Sequence, residues 1–509
     1  MTEIEFKAIA AQGYNRIPLL LECLADLDTP LSVYLKLVDK AQRANSFLLE
    51  SVVGGERFGR YSFIGLPACT QVRAWGQADV AGKSLARIEV LQDGAVVETH
   101  VGDPLEFVRE FKARYSAATR PGLPRFCGGL AGYFGYDLVR FIEPKLGAAK
   151  KPDLIGTPDL LLMVTDELAI VDNLRGKLYL LVYADPNASE SYIQAQKRLR
   201  ELKGRLAQPA VDDPPPPSEE TLVKRHFDKA MYLEAAEKAR EFIIAGDLMQ
   251  VQVGQLLQKP FKHSPLALYR ALRALNPSPY MYYYDFGDFQ VVGASPEILV
   301  RQEAIEHSSD TRITIRPLAG TRPRGTSPQH DKALADELLA DPKERAEHLM
   351  LIDLARNDIG RIAKTGSVKV TETMSIEKYS HVQHIVSNVE GVLAQGIDAI
   401  DVLRATFPAG TLTGAPKVRA MELIDELEIT KRGIYGGACG YLSYSGEMDV
   451  AIAIRTGIVK GGNLFVQAAA GIVYDSTPLA EWQETEAKAR AVIRAAELVE
   501  AGLASGGVN

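Results

Sequence analysis

Apolar residues recur along the chain with two periods, about 3.6 residues in some stretches and two residues in others. The longer period predicts helices at residues 30–44, 232–245, 342–357, 400–406 and 418–427, and a closing helix from Thr477-Pro478. The shorter period predicts strands at residues 178–183, 248–257, 280–285 and 290–300. Strands and helices segregate instead of alternating, which favours an α+β fold with largely antiparallel sheets.

A hairpin is predicted near the C-terminal end, where residues 450–459 and 464–473 flank Lys460-Gly461-Gly462-Asn463. Arg455 falls inside the first predicted strand of this hairpin. Alternation puts it on one face with Ala451, Ala453 and Gly457, which are small enough to admit a ligand carboxylate. A structural salt bridge is the alternative role for this arginine.

The predicted helix at 342–357 contains an acidic residue, Glu347, at a position that is expected to be buried, where a charged carboxylate is unfavourable. Asp341 is a good N-cap, and Glu344 stands where a capping-box glutamate reaches back to the cap. The middle of the helix is apolar nearly all round, so we expect it to be buried, with Glu347 on one stripe with Leu351. A buried carboxylate needs an ion pair, a hydrogen bond or a metal.

Length, charge and cysteine content narrow the class of protein. The chain has 509 residues and a formal net charge of −7, with no long basic run, which argues against nucleic acid as the main partner. There is no signal-like N-terminus and no long apolar stretch, so we expect a cytoplasmic protein without membrane contact. The four cysteines lack CxxC spacing, which argues against zinc and a disulfide framework.

A proline-rich segment divides the chain. Residues 208–220, QPAVDDPPPPSEE, contain four consecutive prolines and suit neither a helix nor a central strand. We therefore predict an N-terminal region at 1–207, a linker at 208–220 and a C-terminal region at 221–509.

Backbone amides at glycine-rich bends are candidates for anion binding. Gly320-Thr321 in RPLAGTRPRG and the run Ala469-Ala470-Gly471 are two such places, with ordinary turns as the alternative. His381 and His384 flank a strand-like segment, in which a histidine is more often a satisfied core residue than a catalyst.

Acidic residues in the closing helix form a second candidate feature. Glu481 and Glu484 lie three residues apart, on one face with Lys488, where a solvated face is the ordinary interpretation. A hard cation such as Mg²⁺ needs carboxylate oxygens from more than one element, which the two acidic helices could supply. The residue pattern alone therefore indicates an enzyme with an anionic ligand and a possible metal requirement.

A series of longer motifs resembles one known family. These are LLES (48–51), NPSPYMYY (276–283), GASPEIL (293–299), PLAGTRPRG (317–325), EHLMLIDLARNDIGR (347–361), FPAGTLTGAPKVRAME (407–422), YGGACGYL (435–442), MDVAIAIRT (448–456) and QAAAGIVYDS (467–476). Together they resemble the large subunit of anthranilate synthase over nearly the whole chain. The resemblance implies a layered sandwich of two packed, largely antiparallel sheets flanked by helices, built from intertwined N- and C-terminal segments.

The resemblance also implies an activity and its residues. Chorismate and ammonia would give an aminated intermediate that eliminates pyruvate to leave anthranilate, with Mg²⁺ required. By motif, the family roles fall on Glu347 and Glu484 as Mg²⁺ ligands; on Arg455 and Tyr435 at the enolpyruvyl side; on Gly320, Thr321, Ala469, Ala470 and Gly471 around chorismate; and on His384 as the catalytic histidine, a proton donor.

Two positions bear on the nucleophile that this family resemblance implies. Ala319 stands where aminodeoxychorismate synthases commonly have a nucleophilic lysine, so ammonia would add directly. Gln250 matches the lysine with which isochorismate synthases activate water, and an amide has no useful basicity. Ala469 replaces the family's usual glycine, and alanine resists a positive φ, which puts the local loop geometry in question.

Regulation and partners follow from the same resemblance. Ser51 and Pro279-Tyr280-Met281 resemble the tryptophan feedback pocket, with plain core packing as the alternative. No second Cys-His-Glu domain follows, so a separate glutaminase small subunit is expected to supply ammonia, in a heterotetramer. The rival functions are aminodeoxychorismate synthase component I and a catalytically silent regulatory subunit that binds tryptophan.

Overall fold

The computed structural model describes residues 1–52, 59–78, 84–120, 122–211, 216–219, 221–379 and 382–503. Within these ranges the helices are α1 (Glu3–Ala10), α2 (Pro30–Leu37), α3 (Pro104–Ala113), α4 (Ser191–Leu206), α5 (Lys229–Ile244), α6 (Pro265–Leu275), α7 (Pro328–Ala340), α8 (Pro342–Gly360), α9 (Ala399–Thr406), α10 (Lys417–Leu427) and α11 (Pro478–Glu500). Short 3₁₀ helices occupy Lys40–Gln42, Tyr136–Phe141, Pro144–Leu146 and Gly410–Leu412. No helix in the described ranges is long and apolar enough to cross a bilayer.

The strands in the same ranges are β1 (Ile17–Leu24), β2 (Ser46–Glu50), β3 (Tyr61–Gly65), β4 (Thr70–Ala78), β5 (Ser84–Gln92), β6 (Ala95–Gly102), β7 (Gly129–Phe134), β8 (Leu160–Thr165), β9 (Glu167–Asp172), β10 (Lys177–Ala184), β11 (Lys224–Arg225), β12 (Gln250–Pro260), β13 (Tyr280–Asp285), β14 (Phe289–Ser295), β15 (Ile298–Ala304), β16 (Thr311–Ile315), β17 (Leu318–Pro323), β18 (Lys369–Lys378), β19 (Val382–Val392), β20 (Gly414–Ala415), β21 (Ala438–Ser443), β22 (Met448–Ile452), β23 (Thr456–Lys460) and β24 (Asn463–Ile472).

These strands form two sheets of twelve strands each. The first has the order β1-β10-β9-β3-β2-β13-β14-β23-β24-β12-β11, with β20 also paired to β12. The second has the order β17-β19-β16-β15-β22-β21-β7-β8-β4-β5-β6, with β18 also paired to β19. Every strand pair within these sheets is antiparallel, which confirms the predicted fold class.

Strands from both sides of residues 208–220 contribute to both sheets. In the first sheet β2 pairs with β13, and in the second β7 pairs with β21. Of the predicted linker itself, residues 212–215 and 220 lie outside the described ranges, as do 504–509 of the predicted C-terminal region. The two regions are therefore interleaved within one layered structure.

The two sheets face each other across an aromatic core. Phe63 from the first sheet and Tyr441 from the second both contact Phe126, whose ring stacks on Tyr441 at 4.1 Å between centroids. Helices α2, α4, α6 and α11 cover the outer face of the first sheet, and α3, α8 and α9 cover that of the second. The apolar stripes predicted from the sequence are thus buried against sheet faces.

Most predicted helices are confirmed, but two helix predictions are wrong in detail. The helix predicted at 30–44 ends at Leu37, because Val38 adopts an extended backbone and a separate 3₁₀ turn follows. The helix expected to be buried all round, α8, is buried on one face only. Its Leu349 is 54% exposed, while Leu351 and Ile352 are buried.

The strands predicted at 290–300 and 450–459 are both broken, because each crosses from one sheet to the other. The first divides into β14 and β15 around Pro296, which lacks the N–H that a ladder requires. The second divides into β22 and β23 around Arg455, whose φ is +51°. The crossing segments are hydrogen-bonded to each other, Ile452 N to Glu297 O at 3.0 Å and Ala294 N to Arg455 O at 3.2 Å. We call residues 296–297 and 453–455 the strand crossover.

Candidate active site

Arg455 lies in the strand crossover and not within a strand. The prediction that alternation aligns it with Ala451, Ala453 and Gly457 is therefore wrong. Among the described residues, its guanidinium has no hydrogen-bond or ion-pair partner. Burial lowers the pKa of Arg455, and the nearby Tyr435, Glu484 and Glu297 act in the opposite direction. An arginine of this kind is suited to an anionic ligand.

Tyr435 faces the same space from the segment before β21. It is buried, and burial raises its pKa to about 12, so the phenol is neutral near pH 7. Arg432, Arg455 and the backbone amide of Ala469 each oppose this change in the pKa of Tyr435. The structure thus brings together three positions that the family motifs single out.

The run from Ala469 to Gly471 lies within β24, so the prediction that it forms a bend is wrong. β23 pairs with β24 only up to Val466, which leaves one side of the following residues without a neighbouring strand. Ala469 faces that open side, since its carbonyl accepts a hydrogen bond from Lys488 Nζ at 2.9 Å. Alternation directs Gly471 to the same side and Ala470 toward β12. Ala469 has no positive φ, so replacing glycine there does not strain the backbone.

Gly320, Thr321 and His384 form a second group. His384 Nδ1 lies 2.8 Å from the Gly320 carbonyl oxygen and 3.1 Å from Thr321 Oγ1. Burial lowers the pKa of His384, which keeps the ring neutral near pH 7. Because a carbonyl only accepts, the proton resides on Nδ1 and Nε2 retains its lone pair. The geometry therefore suits a proton acceptor better than the predicted donor. His381 lies outside the described residues.

Glu347 and Glu344 project from the first turns of α8. Glu347 Oε1 accepts a hydrogen bond from Gln250 Nε2 at 3.2 Å. Asp341 caps the helix as predicted, accepting from the amides of Lys343 and Glu344. The predicted capping box is absent, because the Asp341 N–H bonds to Leu338 O, and Glu344 lies against Gly320 instead. Burial and the neighbouring Glu347 raise the pKa of Glu344.

Glu484 and Glu481 project from the start of α11. The Glu484 carboxylate pairs with Lys488 at 2.7 Å, as their spacing predicts. Glu481 is buried and does not belong to a solvated face. Burial raises the pKa of Glu481, a Ser476 hydrogen bond opposes the change, and Glu484 adds to it. Lys343 of α8 also acts on Glu481, so the two acidic helix starts lie in electrostatic range.

The four glutamates on these two helices are the candidate metal ligands. Carboxylate oxygens are the donors that Mg²⁺ prefers, with water and ligand oxygens completing the shell. Burial is the main cause of the raised pKa of both Glu344 and Glu481, and the neighbouring Glu347 and Glu484 add to it, which a divalent cation between the helices would offset. In the described part of the chain, no three His, Cys, Asp or Glu side chains are already arranged to hold a metal.

Glu297 is a functional candidate that the sequence argument missed. It is buried in the strand crossover, and Thr411 Oγ1 donates to its Oε1 at 3.0 Å. Burial raises the pKa of Glu297 to about 8, against the influence of Thr411, Lys488 and Arg455. The group is therefore a neutral acid at pH 7. An acidic residue inside the apolar GASPEIL motif was the available signal.

The residues matched to the tryptophan pocket line one cavity. Ser51, Pro279, Tyr280 and Met281 all border a space of about 520 Å³, part of it open to solvent. Its polar end includes Asp449, which accepts a hydrogen bond from Tyr280 Oη at 3.1 Å.

Comparison with known proteins gives concordant results. A family described as chorismate binding enzyme matches residues 66–494. Anthranilate synthase component 1 of Neisseria gonorrhoeae is 54% identical over 502 residues, covering 98% of this chain and 99% of that protein. The same component of Aquifex aeolicus is 48% identical, covering 96% of each chain. The crystal structure of anthranilate synthase component I from Streptococcus pneumoniae TIGR4 aligns with a TM-score of 0.74 and 36% identity, over 93% of this chain and 99% of that chain.

Proposed function

The chain belongs to the chorismate-binding enzymes, in the anthranilate synthase component 1 family, and on that premise we propose that its site converts chorismate and ammonia into anthranilate. In this reaction the nitrogen of ammonia bonds to the ring while the ring hydroxyl leaves as water. Loss of pyruvate and of a ring proton then gives the aromatic product. The single observation that best supports an anionic substrate is the guanidinium of Arg455, which has no hydrogen-bond or ion-pair partner among the described residues.

Arg455 and Tyr435 bind the enolpyruvyl carboxylate in this proposal. A guanidinium can donate two parallel hydrogen bonds to a carboxylate, and a neutral phenol adds a third donor. The open side of β24 at Ala469 and Gly471 supplies backbone groups beside them. Ala470 supports that strand from within the ladder.

In this proposal Glu297 donates a proton in one step, and His384 accepts a proton in another. Departure of a hydroxyl as water requires a proton, and Glu297 holds one near neutral pH. Loss of the ring proton requires a base, and the Nε2 lone pair of His384 provides one. Thr321 and Gly320 orient the imidazole by their contacts with Nδ1.

Mg²⁺ is the proposed cofactor, held by Glu347 and Glu484. When bound, it would polarise the ring carboxylate and make loss of the hydroxyl easier. Glu344 and Glu481 lie within electrostatic range of these two ligands, one on each helix. Gln250 orients Glu347, and Lys488 orients Glu484, through the contacts described above.

The identity of the attacking group follows from two positions, Ala319 and Gln250, at which related enzymes have a lysine. Ala319 in β17 is buried and has no nucleophilic atom, so no covalent bond to the enzyme can form there. Gln250 at the start of β12 is an amide and cannot deprotonate water. Direct addition of ammonia is the remaining route.

We propose that ammonia comes from a separate glutaminase subunit, in a heterotetramer. The name component 1 of the relatives implies a second component. Free ammonia at high concentration should replace that subunit in vitro.

Tryptophan is the proposed feedback inhibitor, bound in the cavity at Ser51 and Met281. Tyr280 begins β13 directly opposite Ser295, two residues before Glu297. Asp449 lies on β22, which leads into Arg455. A ligand that favours one arrangement of these strands would change chorismate affinity through the strand crossover.

The reaction is tested with purified protein, chorismate, Mg²⁺ and ammonium, with anthranilate followed by fluorescence. We expect anthranilate and an equal amount of pyruvate. Accumulation of 4-amino-4-deoxychorismate, or no product, would overturn the proposal. Glu347→Gln and Glu484→Gln should each abolish turnover, and near-normal activity in either would refute the metal assignment.

A further inference from the structure

We propose that Arg432, paired with Glu428, is a positioning residue of this active site. The proposal rests on the function proposed above, because it concerns chorismate binding. Arg432 itself lies behind the residues that face the substrate. Its role is to hold three separate wall segments in a fixed arrangement.

The pair is fully buried. Arg432 is 2% exposed and Glu428 is 3% exposed. Glu428 directly follows the end of α10, and Arg432 comes four residues later. Arg432 Nη2 donates to Glu428 Oε1 at 2.6 Å and Nε donates to Oε2 at 3.0 Å. A buried ion pair contributes little to stability compared with an apolar pair of similar volume, so its cost calls for another explanation.

The remaining hydrogen bonds of the pair reach segments far apart in sequence. Arg432 Nη1 donates to Leu412 O at 2.6 Å, and Nη2 donates to Gln252 O at 3.3 Å. Glu428 Oε1 accepts from the Gly254 amide at 2.8 Å. On its other side, Arg432 O accepts from Tyr435 N, and its guanidinium carbon lies 5.7 Å from the Tyr435 ring centroid.

Each of these anchor points is next to a proposed functional group. Leu412 follows Thr411, the hydrogen-bond partner of Glu297. Gln252 is the ladder partner of Gly471, and Gly254 is the ladder partner of Ala469, the two residues on the open side of β24. Arg432 therefore connects the acid, the open edge of β24 and the substrate-binding phenol. Lysine cannot reproduce this, because only arginine has a rigid fork with five donors.

The test separates positioning from stability with two variants. Arg432→Met leaves Glu428 unpaired in the interior, so it should lower the Tm and raise the chorismate KM at least tenfold. The double variant Arg432→Met with Glu428→Gln keeps an acceptor for the Gly254 amide and leaves no buried charge. We expect it to regain most of the lost Tm while the KM stays at least tenfold raised. A KM that returns to the wild-type value together with the Tm would overturn the proposal.

A matched control is the buried pair of Lys259 and Glu500, 1% and 3% exposed and 3.1 Å apart. Lys259 is nine residues from Gln250 along β12, roughly 30 Å of strand. Lys259→Met with Glu500→Gln should alter the Tm and leave the KM unchanged; a KM raised as in the Arg432 variants would also count against a specific role.

Calorimetric titration of chorismate into the same proteins distinguishes the two proposals. If wild type binds chorismate but makes no anthranilate, the proposed reaction fails, and the affinities still decide the role of Arg432. If all the proteins bind chorismate equally well, the positioning role is refuted.

Discussion

At the scale of single residues, the acid–base chemistry depends on how burial changes protonation. Glu297 and His384 are both neutral near pH 7, for the same physical reason, because desolvation disfavours the charged form of each. A neutral carboxyl donates a proton and a neutral imidazole accepts one. The two groups therefore take opposite roles without any special pairing.

Glu297→Gln should lower kcat by about 100-fold or more, because an amide cannot deliver a proton. In the wild type, the acid form is present below a pKa of about 8 and is lost above it. At a fixed concentration of free ammonia, kcat should therefore fall as pH rises through about 8. The measurement is the steady-state rate at pH values from 6 to 9.5. A rate that does not change over this range would show that Glu297 is not the acid.

At the scale of elements, the strand crossover explains why the site forms where it does. Two neighbouring strands leave their sheets at one point, which places Glu297 and Arg455 side by side between the sheets. The end of β23 also uncovers one side of β24 at Ala469. Removing ladder partners in this way leaves backbone groups of β24 available to other partners in an otherwise close-packed interior.

The packing of β17 on α7 and α8 gives a prediction at the scale of elements. Gly320 has φ +65°, and a Cβ there would lie 2.8 Å from Leu338 Cδ1 and 3.0 Å from Glu344 Oε2. Gly320→Ala should therefore reduce the free energy of unfolding by roughly 1–2 kcal/mol, measured by urea denaturation.

Gly360 is the control for that substitution. It ends α8 with no atom within 4 Å of an added Cβ and no positive φ. Gly360→Ala should leave the free energy of unfolding unchanged or raise it by up to about 1 kcal/mol. Equal effects of the two substitutions would contradict the role assigned to the Gly320 backbone.

At the scale of the whole molecule, the interleaved regions connect the proposed tryptophan cavity to the proposed active site. The cavity at Ser51 and Met281 is built by strands from both sides of residues 208–220. Two strands at its border, β15 with Arg301 and β22 with Asp449, adjoin the strand crossover. The proposed inhibitor cavity and the proposed active site therefore share strands, so inhibition would need no moving domain between them.

Ser51→Phe should fill part of that cavity and weaken tryptophan inhibition at least tenfold while kcat stays within about threefold of wild type. Inhibition curves with tryptophan at fixed chorismate provide the measurement. Ser308→Phe, in the exposed turn between β15 and β16, is a control that should change neither value. Undiminished inhibition of the Ser51 variant would place the tryptophan site elsewhere.

The source of nitrogen gives a further prediction for the whole molecule. The isolated chain should form anthranilate with ammonium and not with glutamine, because the name component 1 of its relatives implies a second component. Adding a component 2 subunit should restore glutamine use. Glutamine-dependent activity of the purified chain alone would contradict this division of labour.

The sequence by itself determined the local elements and the family. Period and capping residues placed α5, α9, α10 and the start of α11 correctly, because those signals act over a few neighbouring residues. The motif resemblance also selected Arg455, Tyr435 and His384, which the structure places near one another or near Gly320.

Only the tertiary structure decided where strands change sheets and which acids are buried. Alternation predicted continuous strands through Glu297 and Arg455, since a local pattern does not reveal that two strands cross together. The pKa of Glu297 depends on burial and on Thr411, which is 114 residues away. Solvent exclusion and such long-range contacts exist only after the chain has packed, and they turned an unremarked glutamate into the proposed acid.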